Sequence, residues 1–190
     1  MSRKNWTEEK LWTRIMTNKL NRTYHDNISI LRSKGSKATF DKCVELAKSA
    51  DQNERIIAVD ILSQLGPVLR PPDYLLTRPF HQASNKLFFE MLQQESNAGM
   101  LPTILHAIGR NNTVLNTTEA NIISLFKHNK DSKIRLAVVF ALLGVDNKSA
   151  IETMIYLSAD KVAHVRDWAT FGLGTQTERN NKQNTKSLVG

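Results

Sequence analysis

The sequence has 190 residues, 41% of them hydrophobic and 23% charged, and its 26 Lys and Arg against 18 Asp and Glu give a net charge of +8. Those proportions exclude a disordered chain, which pairs low hydrophobicity with one-sided charge, and the length suits one ordinary domain or one short repeat array. The single cysteine, Cys43, excludes an intrachain disulfide and a cysteine-based zinc cluster, and it fits a reducing interior.

The N-terminal stretch MSRKNWTEEKLW is polar and of mixed charge, without the apolar region of a secretory signal. No stretch approaches the roughly 18 apolar residues that span a bilayer, and the best run, from Leu136 to Val145, is about half that. The expectation is a soluble, cytoplasmic protein without membrane contact.

From residue 1 to 37, nine Lys and Arg stand against three acids. Residues 1–36 read as an atypical N-terminal cap, a hairpin in which Trp6 and Trp12 cover the open apolar end of a helical stack. Next, Phe40, Cys43, Val44 and Ala47 share one helical face, and Ile57, Ala58, Ile61, Leu62 and Leu65 mark a second helix. Asp51 and Glu54 before that helix are spaced as a capping box. Pro67, Pro71, Pro72 and Pro79 then interrupt the pattern. Helices resume from Phe80 to Glu95 and from Leu101 to Ile108, with Pro102 tolerated in a first turn. Asn116 and Glu119 form a cap pair ahead of Ile122, Ile123 and Phe126, and Asp131 precedes the run Leu136 to Leu143. Ser149 and Glu152 are spaced as a further capping box before Ile151, Met154 and Ile155. A last helix follows Asp160 with Val162, Val165, Ala169 and Leu173 on one face. The tail from Arg179 to Gly190 has no acid and no helical period, and is expected to be mobile.

Gly35, Gly66, Gly109, Gly144 and Gly174 each close one of these segments, as helix stops, at intervals of 31, 43, 35 and 30 residues. That spacing is the range of helical-hairpin repeats, whose units bury their apolar faces only against one another. Nothing alternates with a period of two over strand length. The predicted fold is all-α, an α–α superhelix of about five helical hairpins and nine or ten helices, with residues 1–178 as one domain and 179–190 as a tail.

Three second helices share a spacing: Arg55, Ala58, Leu62; Arg135, Val138, Leu142; and Arg166, Ala169, Leu173. Each follows an aspartate, Asp51, Asp131 or Asp160. This pattern resembles HEAT repeats, and Ser158 to Gly174 is particularly similar to bacterial HEAT-like repeats of the phycobilisome-lyase type. The match is close over residues 130 to 178, fair from 37 to 66 and absent over the first 36; it stops near Gln176, where the family pattern usually continues. The resemblance implies a surface for binding other macromolecules, and so a non-catalytic scaffold for a protein partner. It also implies two alternatives. One is a nucleic-acid-binding module or a HEAT-like DNA glycosylase with a basic concave surface, in which Asp167 would stabilise a sugar cation and Trp168 would hold a cationic base. The other is a bilin-lyase-like role.

The arginines Arg55, Arg135 and Arg166 are candidates to bind an acidic partner, or else to pair with turn acids as a structural ladder. Lys127, Lys130 and Lys133, with His128, cluster at one hairpin turn as a candidate phosphate contact that would be sensitive to salt. His164 joins the candidate surface. The five histidines show no metal-ligand spacing, and the sequence has neither a phosphate-binding glycine loop nor a nucleophile elbow. No metal or cofactor is expected. Cys43, on an apolar face, reads as a core residue.

Overall fold

Helices form where the apolar periods place them, and most begin at a short polar residue whose side chain accepts from the first exposed N–H groups. The structure is a computed structural model and describes residues 2–17, 21–68, 78–111 and 115–174. The expected tail, 179–190, lies outside the described residues, as do Pro71 and Pro72. The helices are α1 (Glu8–Thr17), α2 (Asn21–Lys34), α3 (Lys37–Leu46), α4 (Gln52–Leu62), α5 (His81–Gln94), α6 (Leu101–Asn111), α7 (Thr117–Ser124), α8 (Ser132–Leu142) and α9 (Lys148–Leu157). A tenth, α10, covers residues 163–174. Short 3-10 turns occupy Arg3–Asn5 and Leu125–His128, and no strand occurs among the described residues.

The chain divides into two compact units, Met1–Thr113 and Val114–Gly190. In the first, α1 packs on α2, α3 on α4 and α5 on α6, and α4 also packs on both α2 and α6. The second helices of the three hairpins therefore form one row. Leu11, Ile15, Ile61, Leu62, Phe88 and Ile104 fill the core beneath them, each at most 1% exposed. Complete burial of such a side chain contributes about 1.5–3 kcal/mol. The first hairpin is tied to the second through Glu8, whose carboxylate accepts from Ser36 Oγ at 2.6 Å and Thr39 Oγ1 at 3.0 Å. Trp12 is buried, and the Lys42 ammonium on α3 sits 4.3 Å from its ring centroid, so it faces the second hairpin.

Two of the glycine stops touch. Gly35 has φ +60° and Gly66 φ +93°, and a Cβ built on Gly35 would stand 2.5 Å from the Gly66 Cα. Both positions need glycine for its left-handed backbone, and Gly35 also because another main chain passes against it. Gly66 N–H donates to the Arg32 carbonyl at 2.9 Å, which locks the end of α4 to the end of α2.

In the second unit, α7 packs on α8 and α9, and α8 on α9. Ile123, Ile134, Val138, Leu142, Met154 and Leu157 are fully buried. Asn116 and Glu119 form the reciprocal cap at the start of α7. Three expectations are corrected. Glu54 does not reach back to Asp51; its carboxylate accepts from Ser49 Oγ at 2.5 Å, while Asp51 caps through the Asn53 N–H. Helix α9 is capped by Asn147, which accepts from the Ala150 N–H, and the expected cap Ser149 lies inside the helix with its hydroxyl 3.2 Å from that of Ser124. Gly109 is not a stop, because α6 runs through it to Asn111, at the cost of about 1 kcal/mol that a glycine inside a helix carries.

Candidate binding surfaces

The three arginines found by their spacing make one repeated bond. Arg55 Nη1 donates to the carbonyls of Ser49 and Ala50 at 2.9 and 3.1 Å, six and five residues earlier. Arg135 Nη1 does the same to Asn129 and Lys130 at 2.8 and 3.1 Å, and Arg166 Nη1 to Asp160 at 2.8 Å. Each guanidinium thus satisfies carbonyls left open in the turn before its own helix. The remaining nitrogens of two of them reach the next hairpin. Arg55 meets Glu95 at 3.2–3.3 Å. Arg135 grips Asp160 with both forks, Nε to Oδ2 at 2.6 Å and Nη2 to Oδ1 at 2.8 Å, with the two side chains 6% and 5% exposed. The hydrogen bonds from Arg135, opposed by burial and helped by the Val162 N–H, hold the Asp160 carboxyl below the usual carboxylate range. Reciprocally, Asp160 raises the Arg135 pKa.

Arg55 and Arg135 are therefore occupied within the fold. Among the described residues, Arg166 bonds only to its own turn. An aromatic contact follows the same rule. Phe140, five residues after Arg135, packs on Trp168 of α10 with ring centroids 4.8 Å apart. Phe171, five residues after Arg166, is 55% exposed and meets Trp168 in a T-shaped contact with ring centroids 5.6 Å apart. Trp168 is half-buried among Phe140, Phe171 and the exposed His164, while Asp167, next in sequence and about 100° round the helix, faces solvent. The structure does not bring Asp167 and Trp168 onto one face.

At the hairpin turn before α8, Lys130 and Lys133 are exposed, but Lys127 is half-buried with its ammonium 5.7 Å from the Tyr156 ring centroid. The His128 ring meets that tyrosine edge-on and Nδ1 lies 3.1 Å from its hydroxyl. Leu125, Ile155 and Tyr156 are exposed apolar residues of the same unit. Among the described residues, no group of three or more His, Cys, Asp or Glu is placed to hold a metal ion. Cys43 is fully buried, and burial pushes its thiol pKa up.

A second cationic centre lies in the first unit and was missed in the sequence. It spans the row α2, α4, α6. Tyr24 hydroxyl donates to Asp60 Oδ2 at 3.1 Å. Arg32 Nε donates to the Asp60 carbonyl at 2.8 Å, and its other nitrogens reach that carbonyl, Ser63 Oγ and Gln64 Oε1. Arg110 Nη1 stands 3.9 Å from Asp60 Oδ1, and Arg78 donates to the Gly66 carbonyl. Burial lowers the Arg32 pKa, and Arg110 and Arg78 lower it further against the pull of Asp60. Burial also lowers the His106 pKa, with Arg110 adding to it. The available signal was polar residues four apart at the ends of successive second helices: Asp60 in α4 with Gln64 just past it, then His106 and Arg110 in α6.

No protein-family model matches the sequence, and no curated protein matches it. Among solved structures, the X-ray structure of YibA from Escherichia coli is similar, with a TM-score of 0.74 and 17% identity, over 92% of this chain and 60% of that one. The fold is an α–α superhelix of the helical-repeat type. The chain spans 60% of the length of this neighbour, and at such identity the likeness concerns the fold. No helix among the described residues is long and apolar enough to cross a membrane.

Proposed function

We propose that the chain is a non-catalytic, HEAT-like scaffold of the cytoplasm that binds a protein partner through the outer face of α10, its last hairpin patterned like the phycobilisome-lyase-type repeats. One observation carries this reading. Within the second unit, Arg135 and Phe140 on α8 join the next hairpin through a carboxylate and an aromatic ring, and their equivalents on α10, Arg166 and Phe171, present the same two groups with neither contact made to a further hairpin among the described residues. A partner segment bearing a carboxylate beside an apolar or aromatic side chain fits that pair. Burying an aromatic anchor and pairing a desolvated arginine are the contributions that dominate protein interfaces.

The test is a photo-crosslinker placed at position 171 of the intact protein in cell extract, read by identifying the cross-linked peptides. The expected products come from helical segments carrying Asp or Glu, and they are lost with Arg166→Ala but kept with Lys148→Ala, a solvent-exposed control. Products insensitive to Arg166→Ala would overturn the reading. So would tight duplex-DNA binding that blocks cross-linking at this position.

A further inference from the structure

The row α2, α4, α6 concentrates positive charge in a manner that the repeat architecture does not require. Arg110 stands 3.9 Å from the Asp60 carboxylate, Arg32 donates to the Asp60 carbonyl, and Arg78, which donates to the Gly66 carbonyl, lies close enough to Arg32 for the two charges to repel. Arg32 spends its N–H groups on a carbonyl, a hydroxyl and an amide, and Arg78 donates to a carbonyl. None of these acceptors carries a charge. Asp60 is itself engaged by the Tyr24 hydroxyl at 3.1 Å and stands only at the edge of ion-pair range from Arg110, at 3.9 Å. Among the described residues, the cluster sets three guanidiniums against one carboxylate, two positive charges in excess, and the Arg110 side chain, 51% exposed, opens it to solvent.

We propose that this cluster is a binding site for a phosphomonoester, with Arg110 as the entering fork and Arg32 and Arg78 behind it. A phosphomonoester carries about −1.5 to −2 at neutral pH on three terminal oxygens, which matches both the charge excess and the donor geometry of guanidinium forks. A single carboxylate would leave half the excess in place. A phosphodiester backbone spreads one charge per residue along a strand and calls for an extended basic track, whereas this cluster is compact. Tyr24 and Gln64 border the site and keep Asp60 and Arg32 in position, so they are positioning residues.

The full-length protein is titrated at low salt with three probes, inorganic phosphate, N-acetyl-O-phosphoserine amide and AMP, by calorimetry and by 31P line broadening. Saturable binding of at least one probe is expected. Arg110→Ala should weaken it about tenfold or more, the scale of one charge-assisted hydrogen bond, and Arg110→Lys should restore part of the loss. Asp60→Asn removes the competing carboxylate while keeping an oxygen for Tyr24, and should tighten binding several-fold; a merely structural role for the cluster would not produce that gain. Equal affinity for all probes assigns a free-phosphate site. A preference for the phosphoserine amide assigns a phosphorylated side chain, and one for AMP a nucleotide. Absence of binding by all three, or an Asp60→Asn variant with the fold of the parent and no gain, would overturn the proposal and leave Arg32 and Arg78 as caps on the C-terminal end of α4. Duplex DNA binding untouched by Arg110→Ala, without monoester binding, would overturn it as well.

Discussion

The two units use arginine in opposite ways. In the second, Arg135 is matched one to one with Asp160, both ends are buried, and the pair joins consecutive hairpins. In the first, Arg32, Arg78 and Arg110 cluster near one described carboxylate, Asp60, and the hydrogen bonds of Arg32 and Arg78 go to uncharged acceptors. An arginine matched to its own acid adds specificity to packing but offers little to a ligand, because its charge is already neutralised. An arginine in excess adds nothing to packing that a neutral donor would not, and it leaves a field directed at solvent. Arg55 stands between these extremes: it has a single acid, Glu95, at longer range, with side chains 16% and 10% exposed.

The strongest way to break this contrast is Asp160→Ala. It strands a buried guanidinium and should cost about 3–5 kcal/mol in denaturant unfolding followed in the second unit. A cost near zero would mean that the pair is not buried in solution. Gly35→Ala should cost about 2 kcal/mol, since it forces a side chain into a left-handed backbone against the Gly66 main chain. Glu95→Ala should cost about 2 kcal/mol, less than Asp160→Ala, because Arg55 keeps its turn carbonyls and one weaker partner is lost. The pH dependence sharpens the comparison. Because the folded Asp160 pKa lies below its unfolded value, its contribution is complete above about pH 4 and is lost as pH falls through the folded value. Urea midpoints measured through that window should fall for the parent and flatten for Asp160→Asn. The smallest effect is expected from Arg110→Ala, within about 0.5 kcal/mol of the parent in stability, since its ion pair is long and half exposed.

The hairpin repeat was legible because its determinants are local. Asp131, Arg135 and Leu142 lie within one turn and one helix, and the Asn116 and Glu119 cap needs only two residues three apart. The ladder was legible as one of two readings of the same arginines, and its partners across hairpins were not specified. The choice of Asn147 over Ser149 as a cap turned on where the preceding turn ends, which the local pattern leaves open. The cluster about Asp60 was invisible for a different reason. Tyr24 and Asp60 are 36 residues apart, Arg32 and Asp60 are 28 apart, and only the lateral packing of second helices brings them together. Likewise Asp167 and Trp168 read as a pair in the sequence, yet adjacent positions on a helix point in different directions.

Cys43 gives the molecule a kinetic reporter. It is the only thiol in the sequence, it sits at zero exposure in the first unit, and its burial keeps it in the unreactive protonated form. Alkylation must then wait for α3 to come away from its neighbours, so the labelling rate clocks the opening of that unit while the second unit stays silent. A phosphate ester that seats in the arginine cluster should slow this clock, and a partner docked on α10 need not.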